Sequence, residues 1–306
     1  MTSLILGTRG SALALAQVDL TEAALRGTRP ELKTAREIFI TRGDQKLDLN
    51  LLQKGEAGGK GLFTRELEEA LLDGRIDVAV HSLKDLPGHN PPGLVIAAVL
   101  ERAPVADVLV GKFIGGLEGL PQGARVGTSS IRRARQIAWR RPDLKIEEWR
   151  GNVPTRLRKL GERSDVAAIV LAEAGLRRLG YALEDGTLRC ESGEFHAASL
   201  AEHVIPAIGQ GAVALQAREN RAEVLEVLRA INHEPTMRAI RAEREVQRLL
   251  AGDCSVPIGV RTDLAGGRLM MRGILFRENE AEPITATAEG DVPEEVARML
   301  VAGLAG

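Results

Sequence analysis

The chain has 306 residues, 44% of them hydrophobic and 27% charged, with a formal net charge of -1. That length exceeds what one compact core serves, so two or three domains are expected, and the near-neutral balance gives no overall pull toward nucleic acid or an anionic membrane. Aromatics at 3% disfavour stacking on bases, two cysteines supply no disulfide framework, and the lack of a long apolar run predicts no signal peptide, no membrane span and a cytoplasmic protein.

Leu4-Ile5-Leu6 reads as a short strand that turns out through Gly7-Thr8-Arg9-Gly10-Ser11. Ser11 is placed to cap a helix running to about Leu25. Strands are predicted at 36–41, 77–81 and 94–100, with a helix over 62–72 and a glycine-rich polar loop over 52–61. Ser82-Leu83-Lys84-Asp85 follows the 77–81 strand. Near 101–107 the chain leaves this unit and a second alternation begins. Strands at 125–127, 146–149 and 166–172 each lead into a helix, the first opened by Thr128-Ser129-Ser130 and the second by Arg150-Gly151-Asn152, which runs through Leu160. Residues 183–199 read as irregular, and Ile208-Gly209-Gln210-Gly211 as a turn before a strand at 212–216. Helices fit 223–231 and 236–251; strands at 256–260, 269–276 and 284–288 and a last helix near 294–304 suit an α+β unit with an antiparallel sheet.

The predicted fold class is therefore α/β plus α+β: two doubly wound α/β domains with mostly parallel sheets, and a smaller C-terminal α+β domain. The expected limits are 1–100 with a return at 206–232, then 101–205, then 233–306; the crossings near 101–107 and 200–206 are candidate hinges. In such sheets ligands bind beyond the carboxyl ends of the strands. The side chains predicted there are Arg9, Lys60, Lys84, Arg132, Arg133, Arg150 and Arg156, all cations, and the GTSSIRR helix start adds free backbone N–H groups. Arginine's fork matches a carboxylate in a bidentate pair, and each charge-assisted hydrogen bond contributes about 1.5–3 kcal/mol. The set suits a ligand with several carboxylates or phosphates. One acid stands among them: Asp85 reads as an ionised carboxylate able to stabilise a cation on the ligand. No Walker sequence and no metal-ligand spacing of His and Cys is present.

Cys254 lies in LLAGDCSVPIG, after a helix stopped at Gly252 and before Pro257. The negative end of a helix and Asp253 both disfavour its thiolate, so Cys254 is either structurally idle or holds something that stays attached. Taken singly, the other residues have plain readings as well: Ser11 as a cap, His81 as strand-end packing, Lys84–Asp85 as a solvated ion pair, Cys190 as incidental, and Arg178 as a complement to a helix end.

HSLKDLP (81–87), VGTSSIRR (126–133), RGNVPTRL (150–157), LAEAGLRRLG (171–180), IGQGAV (208–213) and GDCSVPIG (252–259) occur together and in order. The set resembles the porphobilinogen deaminase (hydroxymethylbilane synthase) family over nearly the whole chain. The resemblance implies two periplasmic-binding-protein-like domains and a third domain bearing the cofactor cysteine. It implies a transferase of tetrapyrrole (haem) biosynthesis that joins four porphobilinogens head to tail, releasing ammonia at each step, and then frees the linear product by hydrolysis. A dipyrromethane cofactor would be held as a thioether at Cys254. Asp85 would be catalytic, stabilising the azafulvenium cation left when ammonia departs. Lys84, Asp85, Thr128, Ser129, Ser130, Arg132, Arg133, Arg150 and Gly151 would contact the cofactor, and Arg9, Ser11, Lys60, Arg150, Arg156 and Arg178 the substrate. A monomer, no nucleic acid and no membrane partner, and a hand-off of product to uroporphyrinogen-III synthase complete the expectation. The chain departs from the family pattern at Glu56, where a second loop lysine is usual and Lys54 is the nearest substitute, at Pro154 and at Ser255. The competing reading is a two-lobed carboxylate-binding protein without catalysis, since fold alone does not fix function.

Overall fold

The computed structural model describes residues 1–40, 64–250, 257–278 and 280–306. The predicted 52–61 loop, Lys60, Lys54, Glu56, Cys254 and Ser255 lie outside the described residues.

The first sheet takes β1 (Ser3–Arg9), β2 (Lys33–Phe39), β3 (Val78–Ser82) and β4 (Leu94–Val99) from the start of the chain, and a fifth strand, β12 (Val213–Arg218), from much further on. Its order is β2-β1-β3-β12-β4, with β1 parallel to both neighbours and β12 antiparallel to β3 and β4. Alternation along each strand sends residues to opposite faces. Leu4, Leu6, Val78, Val80 and Leu215 pack with Val18 and Leu25 of α1 (Ala12–Thr28) on one face. Ala79 and Leu94 pack with Leu67 and Leu71 of α2 (Arg65–Leu72) on the other. Ser11 is the N-cap of α1 and accepts the N–H of Ala14 at 3.3 Å, as predicted.

The second sheet has seven strands in the order β7-β6-β8-β5-β11-β10-β9. They are β5 (Asp107–Gly111), β6 (Arg125–Gly127), β7 (Lys145–Glu147), β8 (Ala168–Ala172), β9 (Leu183–Glu184), β10 (Thr187–Cys190) and β11 (Gly193–Ser199). Val108, Val110, Ile169 and Leu171 face α4 (Val153–Glu162). Leu109, Ala168 and Val170, one residue out of phase, face α3 (Ile131–Arg140). Two corrections follow. The sheets are mixed rather than mostly parallel, with only β6 parallel to β7 and β8 in this second sheet. Residues 183–199 are not irregular but an antiparallel run hydrogen-bonded to β5. Hydrophobic spacing reports which face of a strand is buried and carries no information on strand direction, and polar residues such as Arg189 and Glu194 mask the alternation.

The third sheet, β13 (Ile258–Ala265), β14 (Arg268–Leu275) and β15 (Ile284–Gly290), is an antiparallel meander. α5 (Glu173–Arg178) and α6 (Ala222–Arg229) belong to the first two layers; α7 (Glu234–Leu249) and α8 (Pro293–Ala305) cover the meander through Ala242, Val246, Val296 and Leu300. The two α/β domains and the C-terminal α+β domain are thus present. The chain passes between the first two sheets twice, and the crossings are hydrogen-bonded to each other, Leu100 N to Val213 O and Ala103 N to Gly211 O, both at 3.1 Å. Among the described residues no helix is long and apolar enough to cross a membrane.

Candidate active site

β1 and β3 are adjacent and parallel, so their carboxyl ends lie side by side. β1 ends at Arg9; β3 runs into a single 3-10 turn, Leu83–Asp85. The register brings Arg9 Nη1 to 3.9 Å from Asp85 Oδ2, with the Asp85 side chain still 37% exposed. Both line a cavity of about 70 Å³ together with Ser11, Gln17, His81 and Ser82. Gln17 Nε2 donates to Ser82 Oγ at 2.8 Å and braces the turn. His81 Nε2 lies 3.1 Å from Gln216 Oε1 in a buried contact. Burial pushes its imidazole down to about 4, Gln216 opposing and Arg9 adding to the effect, so His81 is neutral near pH 7 and serves packing rather than proton transfer.

The opposing wall comes from the second sheet. Beyond β6, Thr128 Oγ1 accepts Ser130 N at 3.2 Å, Ser129 Oγ accepts Trp149 N at 3.1 Å, and Ser130 Oγ accepts Arg133 N at 3.4 Å as the N-cap of α3. Each hydroxyl accepts a backbone N–H, so its own hydrogen is left to donate. Beyond β7, Asn152 caps α4, and Pro154 sits in its first turn, where a missing N–H costs nothing. Arg156 Nε donates to the carbonyl of Gly151 at 2.6 Å, and Arg178 Nη2, from the end of α5, to that of Gly211 at 2.6 Å. Among the described residues no carboxylate pairs with either guanidinium. Burial pushes both down to about 10, with repulsion from Arg133 and Arg150 contributing at Arg156, and both remain charged at neutral pH. Arg150 donates to Glu148 through Nε, while its buried Nη2 meets no acceptor among the described residues.

Arg132 and Arg133 lie beneath the surface of this wall rather than on it. Both are buried and converge on Asp107 at the start of β5, Arg132 Nη2 at 2.8 Å and Arg133 Nη2 at 2.6 Å. Arg132 also donates to Ile205 O and Arg133 to Val170 O. Burial alone would raise the Asp107 carboxyl; the charges of Arg132 and Arg133, with hydrogen bonds from Arg133 and Gln210, outweigh it and hold the group well below the usual carboxylate range. Two guanidiniums and one carboxylate leave a net single positive charge fixed beneath the cleft.

Lys84 stays exposed to solvent beside Asp85. Its ammonium is pushed down to about 8, first by the loss of bulk water around it and then by Arg133, with Asp85 and Asp107 opposing.

The family comparisons bear directly on this site. Residues 4–226 match the family model for the porphobilinogen deaminase dipyromethane cofactor-binding domain, and residues 237–305 the model for the porphobilinogen deaminase C-terminal domain. The porphobilinogen deaminase of Syntrophomonas wolfei is 44% identical over 308 residues, covering 98% of this chain and 96% of the relative. That of Desulforudis audaxviator is 45% identical over 302 residues, covering 98% and 93%. The chain belongs to the porphobilinogen deaminase family. Among solved structures, the methionine binding protein MetQ is 12% identical with a TM-score of 0.43, covering 83% of this chain and 96% of that one.

As a porphobilinogen deaminase the protein is a transferase of tetrapyrrole biosynthesis, and its cofactor is dipyrromethane. The residues fit such a group. The orphaned donors at Arg150 Nη2 and Arg132 Nε, the guanidiniums of Arg156 and Arg178 without carboxylate partners, and three hydroxyls with free hydrogens suit a polycarboxylate. Of the residues that brace this site, Asp107, Gln17 and Gln216 stand outside the motifs that carry the resemblance, whereas Gln210 lies within IGQGAV. Asp107 and Gln210 lock the arginine pair, Gln210 Nε2 donating to Asp107 at 2.9 Å, and Gln17 and Gln216 hold Ser82 and His81. The signal for Asp107 is an acid heading a wholly apolar strand, DVLVG, which is costly unless paired. Cys190, on β10, donates to Gly193 O within its own hairpin.

Proposed function

We propose that this chain condenses four porphobilinogens head to tail on a dipyrromethane held as a thioether at Cys254, with Asp85 as the catalytic carboxylate. Lys84, Asp85, Thr128, Ser129, Ser130, Arg132, Arg133, Arg150 and Gly151 hold the cofactor; Arg9, Ser11, Lys60, Arg150, Arg156 and Arg178 take the acetate and propionate groups of incoming rings. In each cycle the aminomethyl carbon–nitrogen bond breaks and ammonia leaves, the free α-carbon of the terminal ring attacks the resulting methylene carbon to form the new carbon–carbon bond, and the proton on that α-carbon is lost to restore the aromatic ring. Asp85 accepts hydrogen bonds from pyrrole N–H and stabilises the positive charge that develops at that carbon, an electrostatic role that ranks among the largest catalytic contributions. The cations grip the carboxylates and orient the ring against Asp85.

The observation that carries this reading is the approach of Arg9 to Asp85 at 3.9 Å across a cavity in which Asp85 is the one acid among the described lining residues. Asp85→Asn tests it: turnover of porphobilinogen should vanish while intact mass still shows the cofactor, and a near-normal rate would overturn the role. Cys254→Ser should yield the bare polypeptide mass, and a retained covalent pyrrole would mean another anchor.

We further infer a cytoplasmic monomer that passes its product to uroporphyrinogen-III synthase. The domain limits are taken as 1–100 with 206–232, 101–205 and 233–306, with hinges at the two crossings. The double passage of the chain between the first two sheets supports the assignment.

A further inference from the structure

The Asp85 turn is gripped from the third domain. Along α7, Met237, Ile240, Arg244 and Gln247 recur at the three- and four-residue spacing that places side chains on one face of a helix. Met237 and Ile240 pack into the apolar cluster that contains Leu83 and Leu86, the residues on either side of Lys84-Asp85. One turn further on, Arg244 Nη1 donates to Pro87 O at 2.9 Å, and its Nη2 donates to Asn90 Oδ1 at 3.1 Å and to Gly88 O at 3.4 Å. Gln247 Nε2 adds Leu86 O at 3.4 Å. The packing is close enough that a Cβ on Gly88 would stand 3.2 Å from the backbone nitrogen of Arg248. The chain therefore leaves the Asp85 turn through three successive carbonyls, all held by two side chains of one helix. That helix also leads in sequence to Cys254.

We propose that Arg244 is a positioning residue for the condensation: by holding the carbonyls of Pro87 and Gly88 it fixes where the Asp85 carboxylate points. Arg244 touches neither substrate nor the reacting atoms. Its guanidinium has carbonyl and amide oxygens for partners, and among the described residues no carboxylate pairs with it, so its work is directional rather than charge-neutralising. A planar fork reaching several acceptors at once is a task that arginine performs and lysine does not. The inference rests on the assignment of Asp85 as the reacting carboxylate.

The test uses the full-length, cofactor-loaded enzyme. Arg244→Met keeps length and apolar packing and removes the donors. A misaimed catalytic group costs rate more than binding, so kcat should fall at least about tenfold, with KM for porphobilinogen changed less than about threefold. Intact mass should show full cofactor occupancy. Arg244→Lys should recover part of kcat, because one ammonium reaches fewer of the three acceptors. Asn90→Ala, which removes one acceptor and leaves α7 untouched, should cost about two- to fivefold in kcat. A wild-type kcat in cofactor-loaded Arg244→Met overturns the proposal, as does a loss fully accounted for by unfolded or cofactor-free protein. If Arg244→Met does not fold, unchanged kcat in both Arg244→Lys and Asn90→Ala overturns it instead. The underlying assignment fails separately: if Asp85→Asn turns over normally, that role is wrong; if Asp85→Asn is dead while Arg244→Met is normal, only the positioning claim falls.

Discussion

Arg102 and Glu243 meet through two hydrogen bonds, 2.7 and 2.9 Å long, with Glu243 fully buried. Glu243 also accepts the N–H of Gly209 at 2.7 Å, so one carboxylate from α7 ties together both crossings between the first two sheets. Glu243→Gln preserves the shape and leaves the Arg102 cation without its counter-charge. Breaking a buried pair costs about 3–5 kcal/mol. The thermal midpoint should drop by at least about 5 °C in calorimetry; an unchanged midpoint would show that Arg102 finds compensation elsewhere.

Asp107 holds two guanidiniums whose mutual repulsion it offsets. Asp107→Asn should therefore destabilise the second domain and reduce covalent cofactor occupancy, read by intact mass. The pH dependence has a definite sign. With its folded value below the ordinary carboxylate range, Asp107 contributes stability that is fully present above the unfolded value near 3.8 and is lost progressively as pH falls from there through the lower folded value. Below about pH 3.8 the native enzyme should therefore lose stability with falling pH more steeply than Asp107→Asn, so their thermal midpoints should converge; a difference that stays constant with pH would show that Asp107 does not carry this contribution.

Lys84 supplies a second pH effect. In the free enzyme its positive charge is lost as pH rises through about 8, so kcat/KM for the anionic substrate should fall on that side. A bound carboxylate favours the charged form, so the fall in kcat should be displaced to higher pH. Lys84→Arg should remove the alkaline limb from kcat/KM. Stability moves the other way: the unfolded chain holds this proton up to about 10.5, so between about 8 and 10.5 loss of the proton favours the fold.

Gly209 carries φ of +73, and a Cβ there would lie 2.2 Å from Leu83 Cδ2 and 3.1 Å from Lys84 N. Gly209→Ala should thus push the catalytic turn and abolish activity. Gly180 has a similar φ of +76 with open space around it, so Gly180→Ala isolates the backbone strain, on the order of 1 kcal/mol, and should remain active. Equal loss in both would mean that strain, not displacement of Leu83, is responsible.

Much of this was legible because local chemistry announces itself. Ser11, Ser130 and Asn152 each stand before an apolar-periodic run and each caps a helix. The cations follow strand ends, where topology gathers them. What stayed hidden depends on long-range pairing. Nothing near Arg132 or Arg133 in sequence points to Asp107, 25 and 26 residues away. Nothing in α7 announces that Arg244 reaches Pro87 across 157 residues. The antiparallel run of β9 to β11 is masked because β9 and β10 are short and the β10–β11 pair carries the charges Arg189 and Glu194 opposite each other.

β12 lies between β3 and β4, and neither of those strands pairs with the other. A growing polypeptide has made both long before it makes residue 213. The amino-terminal hundred residues therefore leave the ribosome with a gap in the middle of their sheet, and everything coded between has to fold while its host is still open. Synthesis past residue 218 closes the gap. Nascent chains stalled before that point should present the raw facing edges of β3 and β4 to chaperones, and those stalled after it only the outer edge that β4 keeps as the last strand of the sheet.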